Sequence, residues 1–232
     1  MSLPRRDTET TCQLLREDPE LGRAVEPKLS RWSRAGDDLG DGTGLLILEG
    51  LLLRRVSVRG RSGAELLGRG DLVRPWQADD GGVLSRRPAA WRALQFTRLA
   101  VLDDRVLTRL ARHPAIIRCL LERSVERSQR LAVNMAIVHH PRVEIRLQML
   151  FWHLADRWGR VRDGQTILPV RLTHTVLADL VVAQRPTVSS ALSDLAVREI
   201  LLPVTDGWLL MGPPPEDPLR PRQPQPTSAA RL

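Results

Sequence analysis

The pattern of hydrophobic and polar residues changes twice along the chain. Between Arg31 and about Leu102, short apolar runs such as GLLILEGLLLRRV and WRAL alternate with glycine-containing turns. Strands of that length with a turn roughly every eight to twelve residues are typical of β-sandwiches and jelly rolls. Residues 103–138 and 142–158 instead repeat apolar residues at helical spacing. Short apolar runs return near 161, at 167–170 and at 200–212, where Asp206-Gly207 predicts a hairpin.

Residues 171–197 predict two short helices joined by a tight turn. We take His174 as the first residue of a twenty-residue helix-turn-helix unit. Apolar residues then occupy the positions that two crossed helices bury: Leu177, Val181, Ala183 and Val188. Small residues, Ala178 and Ala191, lie where the helices approach each other closely. Thr173 can accept from free N–H groups of the first helix, and Pro186 suits the first turn of the second. Val182 stands where such turns usually carry glycine because the chain tends toward positive φ. We therefore expect a strained or rebuilt turn.

The second of these helices has a polar exposed face. Between Arg185 and Ser193 that face consists of Arg, Thr and Ser, which hydrogen-bond to phosphates and base edges. The residues predicted to contact DNA are Thr173, His174, Thr175, Gln184, Arg185, Pro186, Thr187, Ser189 and Ser190. The motif alone leaves an ordinary helical hairpin open as the alternative.

A heptad pattern runs along the segment before position 138. Its apolar or small positions recur with 4-3 spacing at Ile117, Leu121, Ser124, Ser128, Leu131, Met135 and Val138. Two such helices could pair along this seam, but the spacing fits equally well a helix packed on its own domain. His139-His140-Pro141 then predicts a hinge, because proline disfavours helix at the residue before it.

Composition narrows the function classes. The chain has 232 residues, 42% of them hydrophobic, enough for one large or two small domains. A net charge of +8 fits an anionic partner. However, Lys28 is the only lysine, so the arginine excess reflects a GC-rich coding sequence at least as much as phosphate binding. Charge therefore supports a nucleic-acid partner without establishing one.

Several kinds of chemistry find no support in the sequence. Cys12 and Cys119 are too few for an iron–sulfur cluster or a cysteine-type zinc site. No phosphate-loop motif, paired carboxylates or Cys/His dyad occurs at usable spacing, so we do not expect an enzyme or a cofactor. Apolar runs are too short for a membrane span and MSLPRRDTET is unlike a signal peptide, which leads us to expect a cytoplasmic protein.

Taken together, a β-roll, a long helix, a hinge and a winged helix resemble the Crp/Fnr family of bacterial transcription regulators over roughly residues 15–212. The family's DNA-binding signature is resembled by LTHTVLADLVVAQRPTVSSALSDLAVREILLPVTDGWLL, and the helix before it by VEIRLQMLFWHLADRWG. In the N-terminal half, the strand patterns of the family's roll are resembled by GLLILEGLLLRRV and LLGRGDL. The resemblance implies an α+β fold with an N-terminal cyclic-nucleotide-binding-like β-roll (jelly roll), a long dimerisation helix and a C-terminal winged helix-turn-helix. The implied boundaries are 1–14 for an N-terminal segment, 15–112 for the roll, 113–138 for the dimerisation helix, 139–212 for the winged domain and 213–232 for a disordered proline-rich tail.

The same resemblance implies the partners. Family members pair as homodimers through the long helix and bind a two-fold symmetric operator in double-stranded DNA. RNA polymerase is a further expected partner, and no membrane is. A sensor or interaction protein whose winged helix contacts another protein is the alternative function, against which the polar, basic face around Arg185 argues.

Departures from the family concern the effector and the operator. After Gly70-Asp71, the family's Gly-Glu pair for the ribose is replaced by Arg74-Pro75. Arg87 could contact a cyclic phosphate, yet Pro88 follows where members carry Ser or Thr, and Leu131 and Ala132 cannot bond a purine. Unpaired polar groups in a closed pocket are costly, so we do not expect cyclic AMP as the effector. Pro186 and Ser190 replace a usual Glu and Arg, so Thr187, Ser189, Ser190 and DNA shape should contribute more to operator recognition.

Overall fold

A computed structural model describes residues 27–28, 44–58, 61–74, 90–162 and 164–215 of the chain. It divides into two compact units, Met1–Ala136 and Ile137–Leu232. The predicted segment 1–14, the tail beyond residue 215 and the candidate ligand residue Arg87 lie outside the described residues. The fold is a mixture of helices and sheets, as predicted.

The first unit contains two antiparallel sheets. Its described strands are β1 (Pro27–Lys28), β2 (Gly44–Glu49), β3 (Leu51–Val58), β4 (Arg61–Gly68), β5 (Leu72–Val73), β6 (Ala90–Ala93) and β7 (Arg98–Leu102). They are ordered β1-β7-β2-β5 in one sheet and β4-β3-β6 in the other. Strand β2 is buried on both faces: Leu45 and Ile47 join one hydrophobic cluster, and Leu46 joins a second one with residues of two helices. This arrangement follows from the two-residue period of a strand.

The predicted helical segment over 103–138 forms two helices, the second of which extends from the first unit into the first residues of the second. Helix α1 spans Asp104–Leu110 and helix α2 spans Pro114–His139. Residues 111–113 separate the two helices. Pro114 accounts for the break, because proline lacks an N–H group and disfavours the helical conformation of the residue before it. Asp103 caps α1 by accepting a hydrogen bond from the backbone N–H of Val106 at 2.8 Å.

The second unit packs three helices with a four-stranded sheet. Its elements are α3 (Val143–Trp158), β8 (Arg160–Arg162), β9 (Gln165–Leu168), α4 (His174–Val181), α5 (Arg185–Val197), β10 (Leu201–Val204) and β11 (Gly207–Leu210). The strand order is β10-β11-β9-β8. Trp208 of β11 is buried, with its ring centroid 4.9 Å from that of Phe151 in α3. Among the helices that the structure describes, none combines the length and apolarity needed to cross a membrane.

The hairpin of the second unit turns one residue earlier than predicted. Thr205 and Asp206 form the turn, and Gly207 already pairs with Val204 as the first residue of β11. A β-carbon on Gly207 would overlap with the backbone carbonyl of Leu168 in the adjacent part of the sheet. Glycine is therefore required at this position by a close backbone approach, rather than by the turn.

Candidate nucleic-acid interface

The turn between α4 and α5 contains a valine in the left-handed region. Val182 has φ 52° and ψ 56°, so the positive φ predicted at this position is confirmed. Such a conformation is unfavourable for a β-branched residue. The N–H of the next residue, Ala183, donates to the carbonyl of Ala178 at 3.0 Å and closes the end of α4.

Arg146, on α3, holds this turn, and sequence reasoning did not identify its role. Its Nη1 donates to the carbonyls of Val181 at 3.0 Å and Val182 at 3.3 Å, and its Nε donates to the carbonyl of His140. One indirect signal exists in the sequence. Helix α4 has no basic residue in its last turn, so a basic side chain that bonds its terminal carbonyls would come from another element.

The two helix N-termini differ in how they are capped. The Thr173 hydroxyl accepts from the N–H of Val176 at 3.3 Å, which confirms the predicted cap of α4. Helix α5 starts after Gln184, whose side chain makes no capping hydrogen bond, and Pro186 lies in its first turn. The N-terminus of α5 therefore presents backbone N–H groups and the positive end of its dipole without a side-chain acceptor.

Most of the residues predicted to contact DNA lie at the surface. The exposed ones are Thr173, Thr175, Gln184, Arg185, Pro186, Thr187 and Ser190. The opposite face of α5 is buried through Val188, Ala191, Leu192 and Leu195. Helix α5 thus has one face in the core and a polar face, richest at its N-terminal half, that is free to contact a partner.

His174 and Ser189 are half-buried and bonded to each other, which the sequence did not indicate. The Nδ1 of His174 lies 2.8 Å from the Oγ of Ser189, and that Oγ is also 3.1 Å from the carbonyl of Arg185. A hydroxyl has a single proton, which Ser189 donates to the carbonyl. Nδ1 of His174 must then donate to Oγ. This bond joins the first residue of α4 to α5 and engages the Ser189 hydroxyl within the protein.

Charge is nearly balanced over the second unit. Residues 137–215 contain eight arginines and seven aspartates and glutamates, so the net charge of +8 is not concentrated here. Near the sheet, Arg171 pairs with Asp206 of the hairpin turn at 2.6 Å, and both side chains are exposed. Binding of an anion at this surface would rely on a few placed groups rather than on a broad positive field.

One face of α2 docks on the sheets of the first unit. The residues of this docking face, spaced 4-3, are Ile116, Leu120, Arg123, Arg127, Arg130 and Asn134. Arg127 binds Glu65 of β4 through two hydrogen bonds of 2.7 and 3.0 Å and donates to the carbonyl of Leu72 at 3.1 Å. The pKa of Arg127 is raised, chiefly by the hydrogen bond to Glu65. Its guanidinium therefore stays charged throughout the pH range of a folded protein.

The buried carboxylate of Asp71 anchors the next contact along that face. One oxygen accepts from Nη2 of Arg130 at 2.8 Å, and the other accepts from the N–H of Gly68 at 2.8 Å. Asp71 belongs to the Gly-Asp turn that precedes Arg74-Pro75. At the positions where the resemblance would place effector contacts, Arg74 and Ala132 are exposed, Leu131 is half-buried, and Pro75 lies outside the described residues.

The predicted heptad seam lies one residue further along α2 than the docking face and is largely exposed. The exposed fractions are 39% for Ile117, 63% for Leu121 and 62% for Met135. Ser124 and Ser128, in the middle of the seam, donate to carbonyls four residues earlier on the same helix. The docking face packs on the first unit, while Ile117, Leu121 and Met135 of the seam are exposed among the described residues.

Comparison with known proteins gives a fold but no close relative. No protein-family model and no curated protein sequence matches the chain. Among solved structures, a cyclic nucleotide-binding domain containing protein from Listeria monocytogenes EGD-e is 17% identical, with a TM-score of 0.66 and coverage of 88% of this chain and 97% of that one. A CRP family transcriptional regulator from Thermus thermophilus is 19% identical, with a TM-score of 0.54 and coverage of 81% and 89%.

A third similar structure is the c-di-GMP responsive global regulator CLP of Xanthomonas campestris. It is 18% identical, with a TM-score of 0.55 and coverage of 81% of this chain and 92% of that one. At these identities the likeness establishes the fold. The chain has the fold of cyclic-nucleotide-binding-domain proteins and CRP-type transcriptional regulators, which confirms at that level the resemblance found in the sequence.

Proposed function

We propose that the chain is a dimeric, sequence-specific DNA-binding transcription regulator of the Crp/Fnr type, and that its second unit is a winged helix-turn-helix. The observation that carries the proposal is the polar face of α5. Arg185, Thr187 and Ser190 are exposed on a helix whose other face is buried, so this helix can enter a major groove without disturbing the core. Similarity to solved transcriptional regulators supports the same assignment.

The proposed contacts are of two kinds: contacts to phosphates, which position the protein on DNA, and contacts to bases, which recognise the sequence. Thr173, His174 and Thr175, at the start of α4, and the uncapped N-terminus of α5 suit DNA phosphates. Arg185 suits guanine, to which arginine bonds in a bidentate manner, and Ser190 suits a base edge. We expect affinity to fall as salt concentration rises, and because the second unit is nearly neutral, this dependence should come from the few cationic groups at the interface.

The proposed dimer forms along the seam of α2. A second copy would cover Leu121 and Met135, which are well exposed in the single chain. The 26 residues of the helix extend about 39 Å at 1.5 Å per residue, enough for several heptads. A two-fold dimer predicts a palindromic operator with half-sites about one helical turn apart. Such a regulator would act in the cytoplasm, with RNA polymerase as a further partner.

We further propose that cyclic AMP is not the effector. Two arginines of the docking face already bind carboxylates of the protein: Arg127 pairs with Glu65, and Arg130 pairs with Asp71. The departures at Arg74-Pro75 and Leu131 remove the polar groups that the family uses for ribose and purine. The proposed regulator therefore senses another molecule or none.

The decisive experiment selects bound duplexes from a random DNA pool with the purified full chain. We expect enrichment of a palindrome, and Arg185→Ala should weaken binding to it by about 1–3 kcal/mol, roughly five- to 150-fold. Arg198→Ala is the matched control, because Arg198 is an exposed arginine at the other end of α5. A chain with no preference over random duplex at any salt concentration would overturn the proposal.

Dimerisation is tested separately by sedimentation. Leu121→Glu places a charge in the seam and should give a monomer with much weaker operator binding. Gln129→Glu adds the same charge to an exposed position of α2 that lies on neither the seam nor the docking face, and it should leave the dimer intact. Equal sedimentation of the two variants would show that the seam is not the dimer interface.

A protein partner is the second candidate function, and the near neutrality of the second unit favours it. In that case the polar face of α5 would contact a protein surface. Pull-down with the full chain, with and without nuclease, separates the two functions. A complex that survives digestion supports a protein partner, and loss of all captured material together with the nucleic acid supports DNA.

A further inference from the structure

We infer that Arg146 is a positioning residue for DNA binding, which couples the chain segment directly after α2 to the strained turn in front of α5. This inference rests on the proposed function for its biological meaning. Its structural content concerns three backbone carbonyls and one guanidinium, all within the second unit. Arg146 is not among the residues predicted to contact DNA, so its role would be exerted through the turn.

The three carbonyls come from the ends of two different helices. His140 follows the last residue of α2, and Val181 and Val182 lie at the end of α4. A helix C-terminus leaves carbonyl groups without internal partners and carries the negative end of the helix dipole. The cation of Arg146 therefore satisfies two helix ends at once. Helix α4 supplies no basic residue of its own for this purpose.

The contact with Val182 coincides with the least favourable backbone conformation of the turn. Val182 is β-branched and left-handed, and its side chain is 41% exposed, so packing alone does not explain why it stays in this conformation. The hydrogen bonds from Arg146 to Val181 and Val182 stabilise it. Without them we expect Val182 to relax toward the commoner backbone regions. Arg185 begins α5 only three residues later, so the start of the helix would move with it.

The third hydrogen bond of Arg146, to the carbonyl of His140, connects the turn to the predicted hinge. His140 lies in the predicted hinge, and its Nδ1 accepts from the N–H of Arg142 at 3.2 Å, which folds this segment onto the start of α3. A displacement of the His140 carbonyl would therefore pull on the same guanidinium that holds the turn. A single side chain thus joins the hinge to the helix proposed to recognise DNA.

The test compares Arg146→Met in two backgrounds of the full chain, the natural one and Val182→Gly. Hydrogen exchange of peptides covering residues 181–186 is measured without DNA, and the Kd is measured for the duplex selected from the random pool. In the natural background we expect exchange and Kd each to rise at least about tenfold, because charge-assisted hydrogen bonds are lost. In the glycine background we expect exchange and Kd each to rise at most about threefold, because glycine adopts the left-handed region without strain.

The glycine background separates positioning from a general loss of stability. A merely structural Arg146 would give the same factor in both backgrounds, and that result would overturn the inference. Arg142→Met removes an exposed arginine at the N-cap of the same helix and should change neither readout by more than about twofold. If Arg146→Met does not fold, the same comparison with Arg146→Lys decides, with smaller factors expected. The exchange readout needs no DNA, so failure of the proposed function leaves the coupling testable.

Discussion

Replacing Arg127 by methionine should remove the strongest polar attachment of α2 to the sheets of the first unit. The change deletes two hydrogen bonds to Glu65 and one to the Leu72 carbonyl. Methionine keeps most of the aliphatic stem, so the loss of packing is small. What remains is a Glu65 carboxylate that has lost its bidentate partner and still has Nη1 of Arg54 at 3.8 Å.

The exposure of the two side chains sets the magnitude. An exposed ion pair is worth about 0–1 kcal/mol, whereas removal of one partner of a buried pair costs about 3–5 kcal/mol. The side chains of Arg127 and Glu65 are 23% and 14% exposed, which places the pair between these limits. We expect Arg127→Met to lower the free energy of unfolding of the first unit by roughly 2–3 kcal/mol.

A double-mutant cycle with Glu65→Gln measures the pair itself. Unfolding in urea is followed by hydrogen exchange of peptides from β3 and β4, so that the first unit is measured apart from the second. The double variant should be more stable than the sum of the single effects predicts, by about 1–2 kcal/mol. Arg118→Met on the same helix is the control, because Arg118 and its partner Glu122 are 75% and 54% exposed at 3.9 Å.

Two outcomes would refute this reasoning. One is an equal cost for Arg127→Met and Arg118→Met, which would mean that burial adds nothing to the inner pair. The other is strict additivity in the cycle, which would mean that Arg127 and Glu65 contribute independently despite their hydrogen bonds.

Four further predictions concern the second unit. Thr173→Ala should lower its free energy of unfolding by about 1 kcal/mol in denaturant titrations, because the N-cap of α4 is lost. Gly207→Ala should cost about 1–3 kcal/mol in the same assay, because the added methyl group collides with the Leu168 carbonyl. Ser190→Ala should change the base preference at one operator position in selection experiments. Ser189→Ala should instead lower affinity for all duplexes similarly, because its hydroxyl is bonded within the protein.

The features that the sequence predicted well are local ones. The cap at Thr173 and the positive φ at Val182 each depend on a few neighbouring residues, and both are present. The strands of the first half were likewise predicted from short apolar runs and the glycine-containing turns between them. The helical segment over 103–138 likewise followed from local spacing, and Pro114 separates it into α1 and α2.

The contacts that organise the candidate site are long-range, and the sequence did not reveal them. Arg146 lies 35 residues before the carbonyl of Val181, and Arg127 lies 62 residues after Glu65. In a chain whose basic residues are almost all arginine, nothing in the spacing distinguishes an arginine that holds a helix end from an exposed one. Two of the positions where the resemblance places effector contacts, Pro75 and Arg87, lie outside the described residues.

The one-residue offset between the docking face and the seam of α2 makes the helix intolerant of changes in length. Because both faces follow the same 4-3 spacing, deletion of a single residue between Arg123 and Arg127 would rotate the remainder of the helix by about 100°. Leu131 would then stand where Arg130 meets the buried carboxylate of Asp71, and the arginines would turn away from their acceptors. Substitutions can alter either face alone, whereas an insertion or deletion alters both together. Gaps in this helix should therefore be far rarer among functional variants than changes of residue type.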